Sequence, residues 1–228
     1  MSSRDAASAS RASLVDLCLD FLETAVHALL RVTGAYPADV FSLRRAYGMS
    51  VYQSRHPGLN DCIFAALAGA RAPLLAGTLE CVVLTLLDAR SGRVVEAYPI
   101  DVDLAAAVSL PATHLDVQTM LASALTRIMM LDSRARAGGE LTWTLHLLVH
   151  EEDSAEAAGS SSLLASDGEW SRVDPGDPDD LLLALRQRDA LPPHVRGTVL
   201  KSIQAARMRM QLRLLSVGGQ EEGGDFDG

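Results

Sequence analysis

Apolar residues recur every three to four positions in three parts of the chain, a spacing typical of amphipathic helices. In the first part Ser13 is a suitable N-cap and Gly34 a suitable stop. The predicted helices cover residues 11–33, run from His56-Pro57 to Pro73, and extend from about residue 113 to 135. The second helix is expected to pack on the first.

Strand patterns fill much of the remaining chain. Residues 81–87 are almost continuously apolar and favour a central strand covered on both faces. A turn over residues 88–93 leads to a hairpin partner at 94–102. Residues 142–150 alternate as in a half-buried strand, and in 207–214 every even position is apolar while every odd position is polar or charged. Helices and strands in this order predict an α+β domain.

Three segments interrupt these patterns. Residues 151–180 are rich in Gly, Ser, Pro and Asp, which predicts a loop or a mobile element rather than continuous helix or strand. Residues 1–12 and 217–228 are too polar to bury a core, so both are predicted to be disordered. The predicted domain is therefore 13–216, divided into a core of 13–150 and a long C-terminal segment of 151–216.

Composition narrows the class of protein. Apolar residues make up 48% of the chain, yet the sequence gives no run of about 20 of them, so no membrane segment is expected. The polar start has no apolar centre of a secretory signal, and this favours the nucleus or cytoplasm. Cys18, Cys62 and Cys81 are far apart and form no Cys-x-x-Cys pair, so they are expected to be reduced and mostly buried, with no metal.

The net charge of −9 is unevenly placed. Residues 151–180 carry ten acidic side chains and one basic one, whereas 181–216 carry seven basic and one acidic. An overall acidic balance argues against independent binding to a phosphate backbone, so no direct nucleic-acid contact is expected. The acidic segment is either a solvated loop or an electrostatic aid to a basic partner.

Catalytic motifs are absent from the sequence: it has no phosphate-binding loop, no dinucleotide fingerprint, no His-Glu-x-x-His and no Gly-x-Ser-x-Gly. A thiol–imidazole pair of His56 and Cys62 is conceivable, but a helix-entry His and a core Cys are the simpler interpretation. His146 and His150 are predicted to be surface histidines about 13 Å apart along a strand, too far for one metal. Asp101 and Asp103 are predicted to lie on a solvated strand edge. We therefore expect a protein without catalytic residues, cofactor or metal.

Several segments together resemble one family. The residues are Asp20–His27, Ala35–Phe41, His56–Asn60, Leu74-Leu75, Val82–Asp88, Leu147–His150, Trp170 and Met210–Leu212. They resemble the HORMA-domain accessory subunit of translesion DNA polymerase zeta, and the match spans nearly the whole chain. The resemblance implies three helices on a mainly antiparallel sheet, with a mobile C-terminal safety belt over residues 151–216 that closes across a linear peptide of a client protein. The strand at 208–214 would return to the sheet.

The resemblance also implies site residues. Tyr36 and Trp170 stand where the family places aromatic contacts to a Pro-containing motif of the polymerase catalytic subunit. Cys62 replaces a Tyr of better-known members, which makes the contact there smaller. Leu147 and Val149 lie on the strand expected to border the peptide. The implied function is that of a non-catalytic adapter in DNA damage tolerance.

A second partner surface is implied for the C-terminal domain of the Rev-one polymerase. It aligns with Leu191, Gln211 and Arg213, although Arg213 replaces an aromatic residue. A basic residue that relatives use for self-association aligns with Ala122, which leaves a homodimer open. A hexameric AAA ATPase that pulls on the N-terminus would reopen the belt.

Two other interpretations remain at this stage. One is a HORMA adapter for the spindle checkpoint, the meiotic axis or double-strand-break end protection. The other is an unrelated α+β enzyme with a reactive Cys62.

Overall fold

We analysed a computed structural model of the 228-residue chain. It describes residues 3–104, 114–133, 139–150, 160–166, 169–172, 181, 185, 191–205 and 208–217. Its helices are α1 (Ser3–Thr33), α2 (Pro57–Ala68), α3 (Arg71–Ala76) and α4 (His114–Met129). Its strands are β1 (Phe41–Ala46), β2 (Met49–Ser54), β3 (Leu79–Asp88), β4 (Val94–Asp103), β5 (Leu141–His150), β6 (Ser160–Ser166), β7 (Glu169–Arg172), β8 (Val195–Ala205) and β9 (Met208–Val217).

Seven of the strands form one antiparallel sheet in the order β7-β6-β5-β3-β4-β9-β8. β1 and β2 form a separate hairpin. The predicted central strand is confirmed, since β3 pairs with β4 on one side and with β5 on the other. The hairpin of β3 and β4 and the return of β9 to the sheet are confirmed as well. The molecule is α+β, with three long helices and the short α3.

The main core lies between the helices and one face of the sheet. From α1 it takes an apolar stripe that includes Val15, Cys18 and Phe21, all at most 2% exposed. The even positions of β9 behave as predicted, since Met208, Met210 and Leu212 all enter this core. Burying side chains of this size contributes about 1.5–3 kcal/mol each, which holds β9 against the helices.

A second, smaller core covers the opposite face of the sheet. It joins Cys81 and Val83 of β3 and Leu148 of β5 to Leu181 and Leu185 of the C-terminal segment. This cover explains why 81–87 is apolar at successive positions. It also makes β5 more buried than the predicted half-buried strand, because its residues 145–148 face apolar material on both sides.

Helix boundaries differ from the predicted ones in three places. α1 begins at Ser3, ten residues before the predicted N-cap Ser13. α4 ends at Met129 rather than near residue 135. Pro73 does not end the second helix; it lies in the first turn of α3, where an imino acid removes no helical hydrogen bond.

Several strands were not predicted. β6 and β7 lie within 151–180, where a loop or a mobile element was predicted rather than strand. β1, β2 and β8 were also not predicted. Their exposed faces carry both apolar and polar residues, and a clear apolar–polar alternation is present at only one or two positions of each strand. Of the predicted disordered segments 1–12 and 217–228, residues 3–12 belong to α1 and Val217 ends β9, while 1–2 and 218–228 lie outside the described residues.

One stretch, Pro57–Ala76, reaches the length and mean hydropathy of a membrane span, which the sequence analysis did not expect. In the structure it is divided between α2 and α3, and its buried side chains Leu59, Ile63 and Leu74 belong to the main core. Packing of this kind is typical of the core helices of a folded domain.

Candidate functional site

A small pocket of about 240 Å³ opens between α2 and the start of β5. Its lining is mostly apolar and comes from three separate parts of the chain. The lining residues are Tyr36, Val40, His56, Gly58, Leu59, Cys62 and Trp143. This volume is below the range of about 300–1,000 Å³ that is usual for small-molecule sites, so it suits a single inserted side chain.

Local structure places each wall of this pocket. Gly34 ends α1 with a φ of 76°, a left-handed conformation that glycine adopts without steric cost, and the chain then turns to present Tyr36. His56 caps α2, because its Nδ1 accepts a hydrogen bond from the Leu59 N–H at 3.2 Å. The Trp143 Nε1–H donates to the Tyr36 hydroxyl at 3.1 Å, which joins β5 to the end of α1.

The predicted client residues are only partly brought together here. Tyr36 and Cys62 line the pocket, whereas Leu147 is fully buried in the main core and Val149 packs partly against it. The Leu147 side chain is therefore closed to a ligand, and its backbone lies between β3 and β6. The side chain of Trp170 lies outside the described residues. Its backbone belongs to β7, which lies beside α2, and pairs with Ala165 of β6. The role of all these residues in binding remains a prediction.

Trp143 is the pocket residue that the sequence analysis missed as a site candidate. It was assigned only to the alternating face of β5. Its one distinguishing feature in the sequence is an aromatic ring at the first inward position of the predicted strand. Such a residue most often packs in the core, so it was not predicted as a binding residue.

A larger cavity of about 920 Å³ lies on the opposite face of the sheet. All three predicted second-partner residues line it: Leu191, Gln211 and Arg213. Leu148 and Leu185 of the second core also border it. The structure thus gathers three residues that are up to 22 positions apart into one concave surface.

Two pairs of polar side chains lie in this cavity. Arg213 donates to Asp101 at 2.7 Å, and the imidazole of His150 lies 3.6 Å from Glu80. The thiol of Cys81 is fully buried beneath them, and burial followed by the nearby Asp101 carboxylate raises its pKa well above the usual value. A thiol held in this protonated form is inert, so Cys81 acts as a core residue.

Two predictions about polar residues are wrong. Asp101 is not on a solvated edge, because β9 covers β4 there and supplies its Arg213 partner; Asp103, at the strand end, is exposed. His146 is not a surface residue but is 7% exposed, and burial lowers its pKa from 6.5 to about 4. For Asp101 the cause is the pairing of β9 with β4, which removes the expected open edge.

The imagined thiol–imidazole pair can also be placed. His56 and Cys62 line the same pocket, but the Nδ1 of His56 is used as the helix cap. Within the described ranges, no group of three His, Cys, Asp or Glu side chains is placed to hold a metal ion.

Comparison with known proteins gives relatives named as spindle checkpoint proteins and relatives named as DNA polymerase zeta subunits. The chain is 28% identical to the human "Mitotic spindle assembly checkpoint protein MAD2B" over 166 residues, which is 72% of this chain and 78% of the relative. It is 27% identical to the "DNA polymerase zeta processivity subunit" of Schizosaccharomyces pombe over 148 residues, 60% of this chain and 69% of the relative. No family model matches the sequence.

Solved structures identify the fold. A chain of the mitotic checkpoint complex superposes with a TM-score of 0.64 at 17% identity, covering 89% of this chain and 98% of the other. HTP-2 of C. elegans, solved with a HIM-3 closure motif, gives 0.61 at 12% identity over 90% and 91%. Both are HORMA-domain proteins, and the predicted fold is thereby confirmed. The chain has the HORMA fold and is similar in sequence to MAD2B and to subunits of DNA polymerase zeta.

Proposed function

We propose that this chain is a non-catalytic adapter that holds a linear peptide of the DNA polymerase zeta catalytic subunit under its C-terminal segment. In this proposal it acts mainly in the nucleus, in DNA damage tolerance, and also bridges that subunit to the Rev-one polymerase. The names of the relatives support the pathway, since one is a polymerase zeta processivity subunit. The closure motif bound to HTP-2 supports the mode of binding.

The path of the C-terminal segment is the observation that carries the proposal. The chain leaves one edge of the sheet after β7 and re-enters at the other edge as β8 and β9, where β9 pairs with β4. Between these points Leu181 and Leu185 pack on the second face of the sheet. A segment that passes from one side of a sheet to the other, anchored at both ends, is a strap under which a peptide can be held.

The client would bind as an added β-strand, so that backbone hydrogen bonds provide affinity and side-chain pockets provide specificity. In this structure β6 pairs with residues 145–150 of β5. A client strand therefore either takes the place of β6 or adds outside β7. In both arrangements the small pocket, which includes Trp143 of β5, lies at the same side of the sheet.

Slow release follows from the same geometry. β9 pairs with β4 from residue 96 to residue 103 and with β8 along its whole length. Each ladder hydrogen bond contributes about 1 kcal/mol net, so detaching the strand that closes the strap has a high barrier. An AAA ATPase that pulls on the chain ahead of Val15, which is buried in α1, would unfold that helix and open the strap.

A reversible lock between β4 and β9 tests the proposal. Asp103 and Arg209 are directly opposed and exposed, so Asp103→Cys with Arg209→Cys places two thiols at a spacing that suits a disulfide. The full chain is oxidised either before or after adding a fluorescent peptide of the catalytic subunit. Oxidation beforehand is expected to reduce capture at least about tenfold, and oxidation afterwards to stop release.

Each single-cysteine variant is the matched control and should capture and release peptide as the unaltered chain does under both conditions. Reduction of the double variant should restore capture. Equal capture by the locked and reduced forms would show that the strap does not have to open, and the proposal would then be abandoned.

The relatives' checkpoint name favours a second candidate, a HORMA adapter of the spindle checkpoint. Peptides captured from an extract by the reduced full chain and identified by mass spectrometry separate the two. Polymerase-derived peptides support the first candidate, and checkpoint-protein peptides support the second.

A further inference from the structure

The surface of α2 and α3 that faces away from the core is apolar. The two helices form a stretch, Pro57–Ala76, with the mean hydropathy of a membrane span, yet only 33% of its apolar window is buried. Phe64 is 68% exposed and Leu75 is 40% exposed. Large apolar side chains that share an exposed surface mark a site of interaction with another molecule.

The two helices present these side chains as one continuous stripe. Gly69 and Ala70 join α2 to α3, and both have right-handed helical angles, with φ of −63° and −75°. Helical spacing therefore continues through the junction. The exposed residues of the stripe are alternately four and three positions apart, which is the heptad spacing along which two helices pack. They are Pro57, Asp61, Phe64, Ala68, Arg71 and Leu75.

A second copy of the same stripe fits this one when the two run antiparallel about a two-fold axis. In such a pair, two positions equally far from a common centre face each other. With the centre at position 66, Phe64 faces Ala68 of the other copy, and Leu75 faces Pro57. Each large apolar side chain then lies opposite a more compact one, so that the helices can approach closely.

The same register pairs the charged residues of the stripe. Asp61 faces Arg71 of the other copy, and the symmetry makes this pair twice. Within its own copy the Arg71 Nη1 lies 2.7 Å from Asp16, but the Arg71 side chain is 48% exposed. A guanidinium has five N–H donors, so it can bind a second carboxylate.

Other arrangements fit the stripe less well. A parallel pair of copies in register would place Asp61 against Asp61 and Arg71 against Arg71, and like charges repel. A lipid bilayer would have to bury both charged side chains in hydrocarbon, which costs several kcal/mol without a partner for each. The antiparallel pair satisfies the apolar and the charged positions together.

We propose that the exposed stripe of α2 and α3 is a self-association surface, on which two copies of the chain pair antiparallel with Phe64 against Ala68 and Asp61 against Arg71. Gly58 and Cys62 of α2 line the small pocket. The pair would therefore hold two such pockets near a helix contact about 30 Å long, the length of some twenty helical residues. Pairing itself does not depend on the proposed function.

Sedimentation velocity of the full chain without peptide tests the pairing. We expect a reversible dimer with a dissociation constant of about 10 μM in runs from about 1 to 300 μM, since one helix pair buries less than the standard interface of about 1,600 Å². Phe64→Glu should raise this constant at least about tenfold, because it buries unpaired charge. A chain that stays monomeric throughout the range overturns the inference.

Met130→Glu is the matched control, because Met130 is 75% exposed and lies just after α4, away from the stripe. It should dimerise as the unaltered chain does. Thermal denaturation of both variants should match that of the unaltered chain, since both side chains are exposed. A dimer that is weakened by Met130→Glu but not by Phe64→Glu uses another surface and overturns the inference.

Exchange of charge between two variants tests the register. Asp61→Arg alone sets two basic side chains against each other, and Arg71→Glu alone sets two acidic ones, so each variant is expected to dimerise at least about tenfold more weakly. In an equal mixture of the two, every acidic side chain at positions 61 and 71 faces a basic one. The mixture should therefore recover the dimer, and a mixture no better than the separate variants overturns the register. None of these results affects the proposed function, because no peptide is present.

Discussion

Individual polar side chains connect distant parts of this fold. Glu96 of β4 is 1% exposed, and its carboxylate accepts hydrogen bonds from the Tyr98 and Ser133 hydroxyls, each at 2.6 Å. Ser133 follows α4, so the carboxylate joins that end of the helix to the centre of the sheet. A buried acid needs such donors, because an unpaired one would cost several kcal/mol.

His56 gives a prediction about helix stability. His56→Ala removes the acceptor of the Leu59 N–H and is expected to lower the free energy of unfolding by about 1 kcal/mol. His56→Asn keeps a side-chain acceptor at the N-cap and should lose much less. Urea denaturation measures both, and equal losses would contradict the capping role.

His146 gives a prediction about pH. Burial lowers its pKa to about 4, whereas in the unfolded chain the imidazole takes up a proton near pH 6.5. Its contribution to stability is therefore fully present above pH 6.5 and is lost as pH falls toward 4, by about 3 kcal/mol at most. Denaturation at pH 7 and pH 4.5 should show a smaller difference for His146→Gln than for the unaltered chain.

The control for this measurement is the exposed His194. His194→Gln should keep the wild-type pH dependence. If both variants behave alike, the buried imidazole is not the source of the effect.

At the scale of elements, β6 is the strand that a client peptide is expected to replace. It pairs with β5 over six residue pairs, and β7 pairs with only four residues of β6. This hairpin is held by fewer ladder bonds than β9, so it is expected to open first.

Proline in β6 tests that order of events. Successive N–H groups of a strand point to opposite neighbours, so one of Leu163→Pro and Leu164→Pro removes a hydrogen bond to β5 and the other one to β7. If the client replaces β6, the variant that loses a hydrogen bond to β5 should bind the client about five times faster. This is the effect expected when detaching β6 costs about 1 kcal/mol less. Stopped-flow fluorescence measures the rates. Unchanged rates in both variants would place the client outside β7.

At the scale of the whole molecule, charge is separated along the C-terminal segment. Its first half, 151–180, has ten acidic residues and one basic residue, and 181–216 has seven basic and one acidic. Opposite charges accelerate encounter, and salt screens them over about 10 Å at 0.1 M.

A client with basic residues beside its motif should therefore bind faster at low salt. We expect its association rate to fall roughly tenfold between about 20 and 300 mM salt, with little change in the dissociation rate. A peptide with the same motif and uncharged flanks is the control. Rates for the basic peptide that do not depend on salt would exclude electrostatic assistance by the acidic segment.

Local sequence alone determined the elements with a strong period. The unbroken apolar run of β3 indicated a strand covered on both faces, the alternation in β9 identified its buried positions, and His56-Pro57 marked the start of α2. Such patterns are readable because they report how each segment divides between core and surface.

Tertiary structure alone decided which surfaces are covered and which residues meet. The pairing of Asp101 with Arg213 depends on the return of β9 beside β4, and the burial of His146 depends on the packing around β5. The contact of Trp143 with Tyr36 depends on the packing of β5 beside the end of α1. These contacts join residues far apart in the chain, and the period of a single segment carries no information about the partner that will cover it.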